Sequence, residues 1–338
     1  MNNPPAIFTA LVRGTGSIGM RHMRVFRDLV RIRTIAIPKH RDRGLYLLEN
    51  KYEFSQSLAD AVLGKNSLLV VASETACHLE DTLEGIALGC SAILIEKPIM
   101  SSLDGVAKLL DSAAKIQDRI FVACNLRFDS ALNLFRERLP EIGEIHHVRI
   151  EAQSYLPEWR PQRSYRESYS ADAAQGGVLR DLIHEIDYAV WLFGKPTAVS
   201  ALLSNSGRLG IEAEESADLL WRTSSGAVVS IRLDYVTRHY RRLMTAFGSN
   251  GELTWDFHAH TVALRISGNA PVTTEVPQDR DEMMKDQALG FIAAAAGRAP
   301  GRLATLAEGI FALAICDAAR ASSNSGCSES IMTEWRMK

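Results

Sequence analysis

Short apolar runs alternate with amphipathic stretches through the first third of the chain. Ala6 to Val12, Arg31 to Ile37, Leu68 to Ala72, Ala92 to Ile95 and Ile120 to Ala123 have the length and residue types of buried parallel strands. Between them, the segment to about Leu29 sets Met23, Phe26 and Leu29 on one helical face. Thr75 to Leu88 does the same with Ala76, Leu79, Leu83, Ile86 and Ala87. Ser101 or Ser102 caps a helix that runs to about Ile116, and the run at Ile120 reads as a sixth strand. The rhythm predicts a doubly wound parallel α/β sheet over residues 1–124.

The pattern changes after Phe128. One helix to about Leu139 and another from Asp181 to Phe193 accompany longer strands near Glu144 to Tyr155, Thr197 to Leu203, Ser216 to Arg222, Ala227 to Tyr235, Arg241 to Phe247 and Thr261 to Ile266. Ser224-Ser225-Gly226 and Ser249-Asn250-Gly251 suit hairpins, so residues 125–338 are expected to form an α+β domain with an open, mostly antiparallel sheet. Gly290 to Ala299 and Leu303 to Ala321 are alanine-rich and helical, and are expected to pack back on the first domain. Helices cover one sheet face, and a second subunit is expected on the other, in a homodimer or homotetramer.

Composition narrows the classes of function. A chain of 338 residues has the length of two domains, and its formal charge of -2 gives no basic excess to hold nucleic acid. No apolar stretch approaches the roughly 20 residues needed to span a membrane, and Met1 to Pro5 lacks the features of a secretory signal. A cytoplasmic location is expected. Five scattered cysteines, Cys77, Cys90, Cys124, Cys316 and Cys327, suit reduced thiols and lack metal spacing.

Candidate chemistry begins directly after the first strand. Gly14-Thr15-Gly16-Ser17-Ile18-Gly19 lies between a strand and a helix, the setting of a Rossmann dinucleotide fingerprint. The first glycine permits the turn, the second admits a pyrophosphate, the third lets helix and strand pack, and free N–H groups at the helix start face the anion. At the end of the second strand no acid stands ready for a ribose 2′-hydroxyl. Pro38-Lys39-His40-Arg41, with Arg43 beyond, offers cations that suit a 2′-phosphate, so NADP is favoured over NAD. Ser73, past the strand ending at Ala72, joins the cofactor candidates.

Three further groups point to a reaction. Glu96-Lys97-Pro98 ends a buried strand, where ligands of α/β sheets collect, and Pro98 holds Lys97 extended. Asn125 and Arg127 follow the next strand; both suit a ligand role, a helix cap or a surface salt bridge. Asp181 and His184 are three apart, a spacing that puts them on one face of a helix, where a carboxylate orients an acid-base histidine. Two such groups without a third make no metal site, and none is expected.

Taken together, Gly14 to Gly19, Glu96-Lys97-Pro98, Asn125-Leu126-Arg127-Phe128 and Gly176 to Asp187 resemble the glucose-fructose oxidoreductase and inositol dehydrogenase family, GFO/IDH/MocA. The resemblance covers nearly the whole chain. It implies a Rossmann domain, a second domain with an open antiparallel sheet, and hydride transfer between a nicotinamide and a sugar or polyol. It also implies that Lys97 and His184 face the reacting carbon, assisted by Asp181, and that the peptide before Pro98 is cis. The family commonly separates the aspartate and histidine by four positions, whereas three separate them here.

The expected reaction is oxidation of a secondary alcohol, or its reverse, with His184 as proton acceptor and Lys97 positioning the oxygen. The two roles are exchangeable, because a lysine beside a cationic nicotinamide has a lowered pKa. Glu96 and Asn125 are counted with the cofactor, and Arg127 with the substrate. Trp159, Arg160 and Tyr165 lie in a polar, aromatic stretch that suits sugar rings and phosphates, and is similar to relatives in bacterial surface-sugar pathways. The alternative is a noncatalytic dinucleotide-binding sensor.

Overall fold

The computed structural model describes residues 8–40, 43–62 and 66–335. Up to Asn125 the order is β1 (Phe8–Arg13), α1 (Ser17–Arg27), β2 (Ile32–Ile37), α2 (Arg43–Glu49), α3 (Leu58–Ala61), β3 (Ser67–Val71), α4 (His78–Ala87), β4 (Ala92–Ile95), α5 (Val106–Ala113) and β5 (Ile120–Val122). The five strands are parallel, in the spatial order β5-β4-β3-β1-β2. Every residue of β3 and β4 is buried, as continuous apolar runs require when helices cover both faces. The order reverses at β1, which places the switch point directly beneath the glycine loop. Among the described residues, the segment between β2 and β3 adds no strand, only a bridge between Ala36 and Phe54. The Ile120 strand is therefore the fifth in the chain and not the sixth.

The remaining elements are α6 (Ser130–Arg138), β6 (Ile145–Tyr155), α7 (Val178–Asp181), α8 (Ile183–Phe193), β7 (Ala198–Ser204), β8 (Ser216–Arg222), β9 (Val228–Asp234), β10 (Val236–Gly248), β11 (Gly251–Asp256), β12 (Thr261–Ile266), β13 (Val272–Glu275), α9 (Arg280–Ala295), β14 (Ala304–Thr305), α10 (Leu306–Ser325) and β15 (Glu329–Ser330). The chain divides into two compact units, one running to Asn125 and adding Asp279–Ile310, the other comprising Leu126–Gln278 and Phe311–Glu334.

Within the first unit, β14 pairs antiparallel with β5 and supplies the sixth strand. Helix α9 starts ten residues before the alanine-rich segment suggested, because Asp279 and Glu282 form a capping box. It packs by α1, where Asp281 lies 3.3 Å from Arg21, and Phe291 meets Phe121 edge-on.

The second unit is built on a nine-stranded sheet, ordered β13-β12-β11-β10-β6-β9-β8-β7-β15. All its pairs are antiparallel except β6 with β9. Along β9, Val229, Ile231 and Leu233 are buried while Val228, Ser230 and Arg232 are half-buried, the alternation of a sheet with one covered face. Helix α6 lies on β11 and β12, α7 on β8 and β9, and α8 on β6 and β9. Leu202 and Leu220 remain 67% and 49% exposed. The helix expected from Asp181 to Phe193 is broken: α7 ends at Asp181, Leu182 leaves helical geometry at φ -99° and ψ 34°, and α8 starts at Ile183. No helix among the described residues is long and apolar enough to cross a membrane.

Candidate active site

In the first unit the site starts at the glycine loop. Gly14 has φ +96°, and a Cβ there would sit 2.5 Å from the Ala72 carbonyl oxygen; a Cβ on Gly19 would strike the Gly14 carbonyl. These two glycines are required by the protein's own packing. Gly16 differs: nothing lies within 4 Å of a Cβ built there, and Gly16 and Ser17 are exposed at the start of α1 while Gly19 is buried and Ile18 half-buried. The open space at the second glycine, over helix N–H groups without intrahelical partners, fits a pyrophosphate.

Among the described residues, Lys39 and Arg43 are already engaged. Lys39 Nζ lies 2.9 Å from Asp81 Oδ1, Ser73 donates its hydroxyl to Asp81 Oδ2 at 2.6 Å, and Arg43 donates to the Thr15 carbonyl at 2.8 Å. His40 is exposed, 4.0 Å from Glu74 Oε1. Arg41 lies outside the described residues. Ser73 turns inward to a carboxylate, which leaves its hydroxyl proton committed there.

At the end of β4, two buried histidines frame the Glu96-Lys97-Pro98 turn, whose Lys97–Pro98 peptide is cis. His22, from α1, has Nε2 2.8 Å from Glu96 Oε1, and Glu96 Oε2 accepts the Lys97 N–H at 3.2 Å. Burial pushes the Glu96 carboxyl up, but the bond and charge of His22, with Lys97 and His78, hold it below its ordinary value. Glu96, counted with the cofactor, thus serves inward as the anchor of the turn. His78 Nδ1 is 2.9 Å from the Pro98 carbonyl oxygen and Nε2 is 3.1 Å from that of Ser73; burial lowers its pKa. Lys97 is half-buried at the sheet edge, and Asn125, half-buried, opens a 3₁₀ turn after β5.

In the second unit, Gly176 to Val190 is buried at every position except His184, which is half-buried. Asp181 closes α7 and accepts the Tyr235 hydroxyl at 2.5 Å. Tyr169 is 38% exposed yet turns its hydroxyl toward Asp181; burial first, and that carboxylate second, push the Tyr169 and Tyr235 hydroxyls well above the ordinary tyrosine range. Because the helix breaks at Leu182, Asp181 ends α7 and His184 lies in α8, not in the one continuous helix that their spacing suggested.

Two buried ion pairs hold α8. Arg127 Nε and Nη2 donate to Asp187 at 2.9 and 2.8 Å, and Arg242 Nε lies 2.8 Å from Glu185 Oε1. Burial lowers the Arg242 pKa, but Glu185 leads the charges that raise it overall. Arg127, expected to meet substrate, is 2% exposed, with its guanidinium taken bidentately. Both of those donors are committed to Asp187. Trp159 donates to Ser154 at 3.0 Å and meets Tyr235 edge-on, centroids 5.4 Å apart, and the exposed Arg160 acts electrostatically on Tyr169. Tyr165 instead donates to the Leu209 carbonyl at 3.0 Å. The structure thus gathers Asp181, Trp159 and Arg160 around Tyr169 and Tyr235, leaving Tyr165 in another contact.

His22, His78, Asp81, Glu185, Tyr235 and Arg242 were not singled out from sequence. His22 carries the clearest signal, as a polar side chain on the same helical face as Phe26. Among the described residues, no group of three or more His, Cys, Asp or Glu is placed to hold a metal ion.

A glycine loop of this form at the switch point of a parallel sheet defines a dinucleotide-binding protein of the Rossmann class. Residues 8–124 match the oxidoreductase family with an NAD-binding Rossmann fold, and residues 139–254 match the GFO/IDH/MocA C-terminal domain. The chain belongs to the GFO/IDH/MocA family of oxidoreductases. It is 29% identical over 138 residues to glucose-6-phosphate 3-dehydrogenase of Bacillus subtilis strain 168, a match covering 40% of this chain and 39% of that protein. The solved structure of a levoglucosan dehydrogenase in complex with NADH superposes with a TM-score of 0.85 at 17% identity, over 97% of this chain and 100% of the other. A putative myo-inositol dehydrogenase from Sinorhizobium meliloti 1021 gives 0.77 at 21% identity, over 97% and 100%. These two share the fold.

Proposed function

We propose that this chain transfers a hydride between a nicotinamide dinucleotide and a secondary alcohol or ketone of a sugar or sugar derivative. The observation that carries the proposal is the placement of His184, the one position from Gly176 to Val190 that escapes burial, on a helix fixed by two internal ion pairs. A histidine held that firmly is suited to proton transfer. In the oxidative direction the substrate C–H bond breaks as hydride leaves, and the hydroxyl proton passes to the His184 imidazole. Lys97 has the role of stabilising charge on a substrate oxygen, and Asp181 assists His184 from the end of α7. The dinucleotide, when bound, supplies nicotinamide C4 as the hydride acceptor.

The N–H groups from Gly14 to Gly19, Gly16, Ser17 and Ile18 included, receive the pyrophosphate. Lys39 and His40 serve the adenosine ribose end, with Asn125 also counted at the cofactor. No acid ends β2, which favours NADP over NAD. Trp159 and Arg160 suit an acidic or nucleotide-linked sugar of the kind used in bacterial surface-sugar assembly, and the glucose-6-phosphate 3-dehydrogenase relative is named for a sugar bearing an anion. A second copy of the chain covers the open sheet face, where Leu202 and Leu220 stand among charged side chains.

Direct titration tests the cofactor half: NADPH binds more tightly than NADH, and the advantage is lost or reversed in Lys39→Ala/Arg41→Ala. Turnover of sugar phosphates, sugar acids and nucleotide sugars, followed by nicotinamide absorbance, tests the rest. Absence of turnover across that panel despite tight dinucleotide binding would overturn the enzyme assignment.

A further inference from the structure

Three strand ends around the switch point send one side chain each to a single acid. The last residue of β1, Arg13, has Nε 3.0 Å from Asp81 Oδ1; two residues beyond β2, Lys39 Nζ lies 2.9 Å from the same oxygen; two beyond β3, Ser73 donates to Oδ2 at 2.6 Å. Asp81 reaches them from α4. Its side chain is 3% exposed, against 14% for Arg13 and 29% for Lys39. Burial pushes the Asp81 carboxyl up, but Ser73, Lys39 and Arg13 together hold it below its ordinary value, so the acid is charged at neutral pH. Glu84 is a second partner for Arg13, at 3.5 Å.

This junction lies where a dinucleotide-binding sheet meets the adenosine ribose. Without Asp81, Lys39 would present an uncompensated cation to NADH, whose ribose carries only a 2′-hydroxyl, and a full counter-charge to the 2′-phosphate of NADPH. A fixed anion behind the lysine lessens that contrast. Lys39 is the most exposed member and can turn toward a ligand, while Arg13 and Ser73 stay with the acid.

We propose that Asp81 is a specificity-determining residue, an internal counter-anion for Lys39 that takes the place of the 2′-phosphate when NADH is bound and competes with it when NADPH is bound. The margin between the two dinucleotides is thereby set from α4, outside the strand-end loop. The inference rests on the assignment of Lys39 to the ribose end of the cofactor.

Calorimetric titration of NADPH and NADH, read as the ratio of their affinities, tests it. Asp81→Asn keeps the side-chain shape and removes the charge, and raises the NADPH:NADH ratio about tenfold, the scale of one solvent-screened charge at close range. Lys39→Met acts in the opposite direction: the ratio falls below one, because Asp81 then faces the phosphate without its lysine. That second variant leaves the buried acid in place, and so decides the matter even if Asp81→Asn does not fold. A ratio unchanged by Asp81→Asn, or a Lys39→Met ratio that stops at parity, overturns the proposal. A parent protein that prefers NADH overturns the NADP preference alone, since the role of Asp81 is read from the change in ratio.

Discussion

His22 Nε2 lies 2.8 Å from Glu96 Oε1, joining the helix that follows the glycine loop to the strand end that carries Lys97. Both side chains are nearly buried, at 2% and 11% exposure, so His22 gives Glu96 Oε1 its partner while the Lys97 N–H serves Oε2. His22→Ala strands a buried carboxylate and is expected to cost about 3 kcal/mol of unfolding free energy. Glu96→Gln keeps a neutral hydrogen bond and costs less. Urea denaturation of the two variants checks the order.

The Arg127–Asp187 pair makes a stronger claim of the same kind. With two parallel bonds and almost no solvent, its removal by Arg127→Ala is expected to cost about 3–5 kcal/mol. Arg127→Lys recovers only part of this, because an ammonium cannot match the bidentate geometry. If both variants denature at the parent's urea midpoint, the Arg127–Asp187 pair does not stabilise the fold.

Sequence made the first sheet legible and left the second partly hidden. Strands β3 and β4 are buried on both faces, so their apolar runs announce them without any partner. β13 has none of its four residues buried, which leaves little pattern in a short window. The candidate site divides similarly. Lys97 and His184 stand in compact motifs, whereas Asp81 matters because three separate strand ends converge on it. Arg127 was visible as a charged residue beyond a strand, but its partner is 60 positions away, and a contact at that separation cannot be inferred from spacing.

His78 gives the fold a dependence on pH. Its pKa is lowered in the folded protein, chiefly by burial, although Glu96 and Asp81 nearby oppose the shift. The unfolded chain therefore binds the proton more readily, and stability rises with pH across this titration. The contribution is complete above the unfolded value of about 6.5, and is lost as pH falls from there through the lower folded value. Thermal melts from pH 8 to pH 5 should show this decline, and His78→Asn should flatten it. Glu96 and Asp81, whose folded values are also lowered, lose their contribution in a separate, more acidic window near and below about pH 4.

The glycine loop separates folding from binding. Gly14→Ala forces a side chain into positive φ and against the Ala72 carbonyl, and should destabilise the protein by more than about 1 kcal/mol. Gly16→Ala meets open space and costs less than about 1 kcal/mol as a weaker helix cap, yet it should weaken dinucleotide binding because the methyl occupies the approach to the pyrophosphate. Melting temperature and titration, measured on both variants, distinguish the two effects.

Lys97→Ala and His184→Ala are each expected to slow hydride transfer by about a hundredfold or more, the range for lost acid-base groups, while dinucleotide binding persists. Single-turnover measurements separate the chemical step from product release. Normal single-turnover rates in either variant would remove that residue from the mechanism.

The interruption at Leu182 behaves as an expansion joint between two separately anchored pieces. Asp181 is tied to Tyr235 on the upstream side, while Glu185 and Asp187 clamp the downstream helix to Arg242 and Arg127. Across the break, one position no longer corresponds to the fixed 100° of rotation that it spans in a continuous helix. The three positions from Asp181 to His184 therefore cross a break and do not measure an angle around one continuous helix.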